Sequence, residues 1–129
     1  MKKRCIITNN GAPAVGPYSH AVAAGNLLFL SGQGPFAQDG TGALIGTLEE
    51  ETALTFKNMI AILEEAGASL EDVVKVTVYL ADMADFPRFN ALYKEYFPDE
   101  CPARTCIQAG KLPMDIKVEI EAIAWLPNA

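Results

Sequence analysis

The pattern of hydrophobic and polar positions predicts six β-strands. Each is a short apolar or alternating run bounded by turn residues: 4–8, 20–24, 27–32, 73–81, about 103–109 and 117–125. Gly25-Asn26 joins the second and third strands, and a two-residue connection of this kind is typical of a tight hairpin. The fourth strand alternates, and its apolar positions share one predicted face: Val74, Val76, Val78 and Leu80.

Two segments have the periodicity of amphipathic helices. The first begins after Thr47, whose spacing to Glu50 is that of a capping box, and it ends at Gly67. The second begins near Asp85 and ends at Pro98. The predicted apolar stripes are Ala53, Phe56, Ile60, Leu63 and Ala66 on the first helix, and Phe86, Phe89, Tyr93 and Tyr96 or Phe97 on the second.

The element order β-β-β-α-β-α-β-β predicts a single α+β domain over residues 1–129, in which both helices pack on one face of the sheet. Along the last strand an apolar row should meet the helices: Val118, Ile120, Ala122 and Ala124. The side chains that point away mix charge with apolar bulk: Lys117, Glu119, Glu121, Ile123 and Trp125. A mixed face of this kind favours a subunit interface that carries a polar pocket.

The composition is that of a globular protein without a basic surface. Half of the residues are hydrophobic, a fifth are charged, and the formal net charge is -6. This balance argues against binding to nucleic acid or to an anionic membrane. No signal peptide or membrane-spanning run is visible, so we expect a cytoplasmic protein with three reduced cysteines. One histidine and no Cys-x-x-Cys pair argue against a metal site, so no metal is expected.

Most residues that could take part in a reaction lie on the last two predicted strands. Alternation places Arg104, Cys106 and Gln108 on one face of the fifth strand, and Glu119 and Glu121 on one face of the sixth. If the two strands form an antiparallel hairpin, arginine and glutamate come within reach of each other. They would then form a cross-strand ion pair, or the arginine would hold a substrate carboxylate while a glutamate handles protons or water.

Other candidate residues have simple structural interpretations. Cys106 lacks a nearby base and is better read as a buried thiol than as a nucleophile. His20 is interpreted as a surface or hydrogen-bonded histidine, and Tyr18 as a half-buried residue that can also line a pocket. Gly32-x-Gly34 resembles a dinucleotide fingerprint, but Pro35 and turn residues follow where that motif requires a helix.

Five blocks of the sequence, taken together, resemble the RidA (YjgF) family of reactive-intermediate deaminases. They are "GPYSHAV", "LFLSGQGP", "VVKVTVYLADMADFPRFNALYKEYFP", "PARTCIQAGKLPMD" and "KVEIEAIA". The resemblance runs in register from about residue 5 to residue 126. It implies a chorismate-mutase-like protomer and a homotrimer, with the sheets around a central barrel and active sites in the clefts between subunits.

The implied activity is hydrolysis of enamine and imine intermediates, such as 2-aminoacrylate, 2-iminopropanoate and 2-iminobutanoate, to 2-oxo acids and ammonia. No cofactor is needed. By this similarity Arg104 binds the substrate carboxylate and Glu119 positions water and relays protons. The remaining implied site residues are Tyr18 and Cys106 in catalysis, and Ser31, Gly32, Gln33 and Asn90 in substrate binding.

The sequence departs from the family pattern at a few positions. His20 stands where glutamine is common, and Gly34 stands where a larger apolar residue is common, so both are expected to enlarge or reshape the pocket.

Two other functions remain as alternatives. One is a non-catalytic trimer that binds 2-oxo acids as a metabolic sensor or regulatory partner. The other is RNA cleavage, a label attached to some relatives, against which the acidic composition argues.

Overall fold

The structure, a computed structural model, describes residues 2–127 of the chain. Six strands and two helices follow the predicted order β-β-β-α-β-α-β-β. Their bounds are β1 (Arg4–Ile6), β2 (Ala21–Ala24), β3 (Leu27–Gln33), α1 (Leu48–Glu65), β4 (Val73–Leu80), α2 (Phe86–Tyr96), β5 (Ala103–Gln108) and β6 (Val118–Trp125). The strands form one mixed sheet in the order β1-β2-β3-β6-β4-β5, which confirms the predicted α+β class.

The predicted hairpin between β5 and β6 is wrong. β4 lies between these strands: it pairs in parallel with β5 and antiparallel with β6. The reason is that α2 connects β4 to β5 as a crossover, which returns the chain to the same end of the sheet and makes the two strands parallel. β6 then runs back between β3 and β4, which leaves β5 at the edge of the sheet.

One face of the sheet carries the core. The predicted apolar row of β6 is buried, from Val118 to Ala124, together with Val76 and Val78 of β4 and Leu28 of β3. α1 packs over β3 and β6, and its side chains complete the same hydrophobic cluster. The opposite side of the sheet, which we call the open face, carries the intervening residues of each strand.

Stacked aromatic rings join the two helices. Phe56 of α1 stacks on Tyr96 of α2 with ring centroids 3.9 Å apart, and Tyr93 contacts Phe89 and Phe97 at 5.7 Å and 4.9 Å. Aromatic contacts of this geometry add to the free energy gained by burying the rings. The predicted stripe of α2 is confirmed, and the cluster fixes Tyr93 against the sheet.

The predicted start and end of α1 are confirmed, whereas the buried faces of β4 and α1 differ from the prediction. Thr47 and Glu50 form the predicted capping box, and Gly67 ends α1 with a φ of 83°. Val74 is exposed because β4 bulges between Val73 and Lys75, so that Val73 takes the inner position. On α1 the buried stripe is rotated, and Ala53 faces outward.

A buried glutamate links α1 to the start of β6. Glu51 is fully buried and accepts hydrogen bonds from the backbone N–H of Lys117 at 2.7 Å and from its Nζ at 2.9 Å. Glu51 also accepts from the N–H of Gly46 at 3.2 Å. Lys117 therefore pairs with the helix layer, which corrects its predicted place among the outward side chains of β6.

We predict that Glu51→Ala lowers the free energy of unfolding by about 2 to 4 kcal/mol, because it leaves two backbone donors and a lysine without their acceptor. Urea unfolding at fixed protein concentration measures this. The matched control is Glu49→Ala two residues earlier, which removes an exposed pair with Arg88 and should cost about 0.2 to 1 kcal/mol. Equal losses in the two variants would contradict this account of Glu51.

Candidate functional site

Arg104 lies on the edge strand β5 and faces the helix layer. It is in register with the buried Val76 of the neighbouring strand, so both side chains leave the sheet on the same face. Its guanidinium carbon lies 4.7 Å from the centre of the Tyr93 ring and 5.5 Å from that of Phe86. These cation–π contacts orient the guanidinium plane without using its hydrogen-bond donors.

The proposed cross-strand ion pair of Arg104 is absent among residues 2–127, where the ion pairs involve other arginine and lysine side chains. The reason is the order of the strands, because Glu119 and Glu121 lie two strands away from Arg104. They are also on the other face: Glu119 is in register with Tyr79, which alternates with the inward Val78. A partly buried guanidinium whose donors have no partner between residues 2 and 127 is suited to a carboxylate ligand.

Two buried polar atoms lie on the helix surface that meets Arg104. The Oδ1 of Asn90 and the hydroxyl of Tyr93 have no hydrogen-bond partner among the described residues. Asn90 follows Phe86 by four positions and precedes Tyr93 by three, so all three share one face of α2. Burial raises the pKa of Tyr93 to about 12, so the phenol stays neutral. Unpaired buried polar atoms are uncommon and, beside a free arginine, indicate a place for a polar ligand.

Cys106 follows Arg104 on the same face of β5 and is partly buried. Burial raises the pKa of its thiol, and the nearby charge of Arg104 opposes this only in part. Because the thiolate is the reactive form, a raised pKa weakens Cys106 as a nucleophile at neutral pH. The geometry agrees with the interpretation of Cys106 as a packed thiol beside the arginine.

Glu119 lies on the open face, where it packs against Gly32 of β3. A Cβ atom added at Gly32 would lie 2.5 Å from the Oε2 atom of Glu119, so a larger residue there would displace the carboxylate from its present position. Burial raises the pKa of Glu119, and the negative charge of Glu121 raises it further. A half-buried carboxyl group with a raised pKa is suited to proton transfer near neutral pH.

The loop before β2 is held next to this glycine. The Ser31 hydroxyl donates to the carbonyl of Ser19 at 2.7 Å, and the neighbouring Tyr18 is exposed, with its hydroxyl accepting from the N–H of Val15 at 3.3 Å. Gln33 turns inward, and its amide donates to the carbonyl of Ser31 at 3.3 Å. Ser31 is therefore next to Gly32 and is bonded to the loop that carries Tyr18, whereas Gln33 supports the backbone of β3.

His20 and Gly34, the two positions that depart from the family pattern, are closely surrounded by other residues of the chain. His20 is buried: its Nδ1 accepts from the N–H of Thr8 at 3.1 Å, and its Nε2 lies 2.9 Å from the carbonyl of Ala12. A Cβ atom at Gly34 would lie 2.8 Å from Ile116 and 2.9 Å from Phe36. These contacts fill the space beside both residues within the described part of the chain, and their effect on the shape of the pocket stays a prediction.

The candidate residues form two groups on opposite faces of the sheet. One group contains Arg104, Cys106 and Asn90, and the other contains Glu119 and Gly32, with Ser31 next to Gly32 in β3. Sequence reasoning missed the ring platform of Arg104 because Phe86 and Tyr93 were assigned only to the core stripe of α2. It also missed the hydrogen bond from Tyr79 to Glu121, although alternation placed both residues on outward faces.

A family model described as Endoribonuclease L-PSP matches residues 9–126. The chain belongs to this family, the RidA/YjgF family. Within it, a RutC family protein of Pyrococcus abyssi is 47% identical over 126 residues, covering 97% of this chain and 98% of the relative. Reactive Intermediate Deaminase A, chloroplastic, of Arabidopsis thaliana is 43% identical over 127 residues, covering 98% of this chain and 67% of the relative.

The fold of the family is confirmed by solved structures. The crystal structure of TdcF from Escherichia coli with bound serine is 38% identical and covers 95% of this chain and 98% of that chain, with a TM-score of 0.88.

No helix within residues 2–127 has the length and hydropathy to cross a bilayer. In the same part of the chain, no group of three or more histidine, cysteine or acidic side chains is placed to bind a metal ion.

Because the Tyr93 hydroxyl is buried without a partner in the described part of the chain, we predict that Tyr93→Phe either raises the free energy of unfolding or lowers it by less than about 0.5 kcal/mol. The matched variant is Tyr79→Phe, which removes the hydrogen bond to Glu121 and should cost about 1 kcal/mol. Urea unfolding compares the two. A clear loss of stability in Tyr93→Phe would show that its hydroxyl has a partner within the fold.

Proposed function

We propose that this protein hydrolyses enamine and imine intermediates of 2-amino acids, such as 2-aminoacrylate, 2-iminopropanoate and 2-iminobutanoate, to 2-oxo acids and ammonia. The observation that carries the proposal is the guanidinium of Arg104, which contacts two aromatic rings and, within residues 2–127, keeps its donors unpaired near buried polar atoms that also lack partners. Family membership supports it, since relatives bear the name reactive intermediate deaminase. TdcF, whose structure contains serine, shows that a relative holds a molecule with an amino-acid carboxylate.

The reaction needs a carboxylate clamp and one group that moves protons. Arg104 would bind the substrate carboxylate through two parallel hydrogen bonds. The carboxylate of Glu119 would take a proton from water as the oxygen bonds to the imine carbon, and would pass it to the imine nitrogen, which gives a carbinolamine. Glu119 would then move the hydroxyl proton of the carbinolamine to its amino nitrogen, so that the C–N bond breaks, ammonia leaves and the carbonyl of the 2-oxo acid forms.

We further propose that each site combines residues of two protomers in a homotrimer, with the open faces of the sheets around a central barrel. Arg104 and Glu119 lie on opposite faces and two strands apart, so one protomer does not bring them to the same substrate. The open face also exposes Leu27, Phe29 and Trp125, apolar side chains that an interface would bury. The neighbour's open face would then supply Glu119 and Tyr18 to the Arg104 side.

The decisive measurement is the release of 2-oxo acid from imines generated by a serine/threonine dehydratase. We expect wild type to accelerate release and Arg104→Ala to lose about 100-fold or more, because charge-assisted hydrogen bonds contribute about 1.5 to 3 kcal/mol each. Arg104→Lys should retain an intermediate rate, since lysine keeps the charge but not the paired donors. The control is Arg88→Ala, which removes an exposed arginine of α2 and should leave the rate unchanged.

If wild type does not accelerate release with either amino acid, the deaminase proposal fails. Binding of 2-oxo acids that depends on Arg104 would then favour a sensor or regulatory partner. The family description names an endoribonuclease, so RNA incubated with the pure protein is a useful second assay. Cleavage of that RNA by wild type and Arg104→Ala alike would assign a different activity to the chain.

A mixture of two inactive variants tests the shared site. When Arg104→Ala and Glu119→Gln protomers are unfolded and refolded together in equal amounts, random assembly pairs an intact arginine with a neighbour's intact glutamate in about a quarter of the sites. We therefore expect about a quarter of the wild-type rate, and almost none when the variants are refolded separately. No recovery in mixed trimers of confirmed composition would place both residues in one protomer's site.

A further inference from the structure

Two glutamates and a tyrosine form a polar cluster on the open face. Glu119 and Glu121 are two residues apart on β6, and Tyr79 of β4 is in register with Glu119. The Tyr79 hydroxyl nevertheless donates to the diagonal residue, with 2.5 Å to the Oε1 of Glu121. Within residues 2–127, no hydrogen bond reaches the carboxyl group of Glu119. The two chemically identical side chains therefore have different surroundings.

We propose that Tyr79 and Glu121 are positioning residues for proton transfer by Glu119: the phenol holds Glu121 as a fixed negative charge and leaves Glu119 free to exchange protons with water and substrate. The inference rests on the deaminase function proposed for Arg104 and Glu119. It assigns different roles to a pair of carboxyl groups according to their partners, one bound by a donor and one open.

The electrostatics have the sign that this role requires. Burial raises the pKa of Glu119, and the charge of Glu121 raises it further. The bond to Glu121 is also the largest cause that raises the pKa of Tyr79, so the phenol keeps the proton that it donates. Glu119 accepts a proton from water only as a carboxylate, so turnover should fall as the pH falls through its pKa. A raised pKa places this acidic limb at higher pH than an exposed glutamate would.

Few other charges face Glu119. β3, which packs beside it, has no titratable side chain between Leu27 and Gln33. Lys75 of β4 and Lys117, which precedes β6, have other partners. The Nζ of Lys75 donates to Thr105 at 2.9 Å, and Lys117 pairs with Glu51. In the proposed trimer the neighbour's Arg104 also faces Glu119. Arg104 is unchanged in every variant compared below, so differences between the variants measure the effects of Glu121 and Tyr79.

The test is the pH dependence of kcat for 2-oxo acid release, with the dehydratase flux matched at each pH. We expect the acidic limb of Glu121→Gln to move to lower pH, because the amide keeps the shape but removes the charge that raises the pKa of Glu119. Glu121→Asp retains the charge and should keep the limb near that of wild type. Glu65→Gln, which removes an exposed charge at the end of α1, should leave the whole profile unchanged.

Tyr79→Phe provides a second variant if Glu121→Gln does not fold. Without its donor, the carboxylate of Glu121 is no longer held in place beside Glu119, so the limb should move in the same direction but less far. A purely structural role would lower kcat in both variants without moving the limb. An unmoved limb in folded, active Glu121→Gln and Tyr79→Phe would overturn the proposal while the deaminase function stands.

A second readout does not depend on turnover. The NMR signal of the ¹³C-labelled Glu119 carboxyl carbon gives its titration midpoint directly, once Glu119→Gln has identified the signal. A lower midpoint in Glu121→Gln supports the proposed pair, and an unchanged midpoint refutes it. If wild type shows no turnover at all, the deaminase function fails, and the NMR midpoints still decide whether Glu121 controls Glu119.

Discussion

Successive side chains of a β-strand point to opposite faces of a sheet, and this constraint decides where each polar residue of the protein lies. In β4 the inward Val76 and Val78 are neighbours of Arg104 and Cys106, while the outward Thr77 and Tyr79 are neighbours of Glu121 and Glu119. A shift of one residue in either pairing would exchange the faces. The buried row of β6 prevents such a shift, because it would expose Ile120 and bury Glu119.

Within the protomer, the two charged groups of the candidate site are each incomplete. Among residues 2–127, Arg104 rests on aromatic rings with its donors unpaired, and Glu119 packs against a glycine and receives no hydrogen bond. A folded chain seldom keeps partly buried charges without partners unless a ligand or another subunit supplies them.

The helix layer gives this arrangement its rigidity. Tyr93 contacts Arg104 on one side and the rings of Phe89, Phe97 and Phe56 on others, so the arginine platform is part of the main core. On the other side of the sheet, the hydroxyl of Ser31 and the backbone of β3 hold the loop that carries Tyr18. Both groups of site residues are thus fixed by packing that the protomer completes alone.

The sequence by itself determined the local elements: the capping box at Thr47, the turn at Gly25-Asn26, the end of α1 at Gly67 and the alternation of β6. These features depend on neighbours a few residues apart, and the motifs around Arg104 and Glu119 likewise identified the family. Only the tertiary structure decided that β4 separates β5 from β6 and that Arg104 and Glu119 occupy opposite faces. Alternation fixes which residues of one strand share a face, but the choice of neighbouring strand depends on packing between distant segments, as do the bulge at Val74 and the buried bonds of His20.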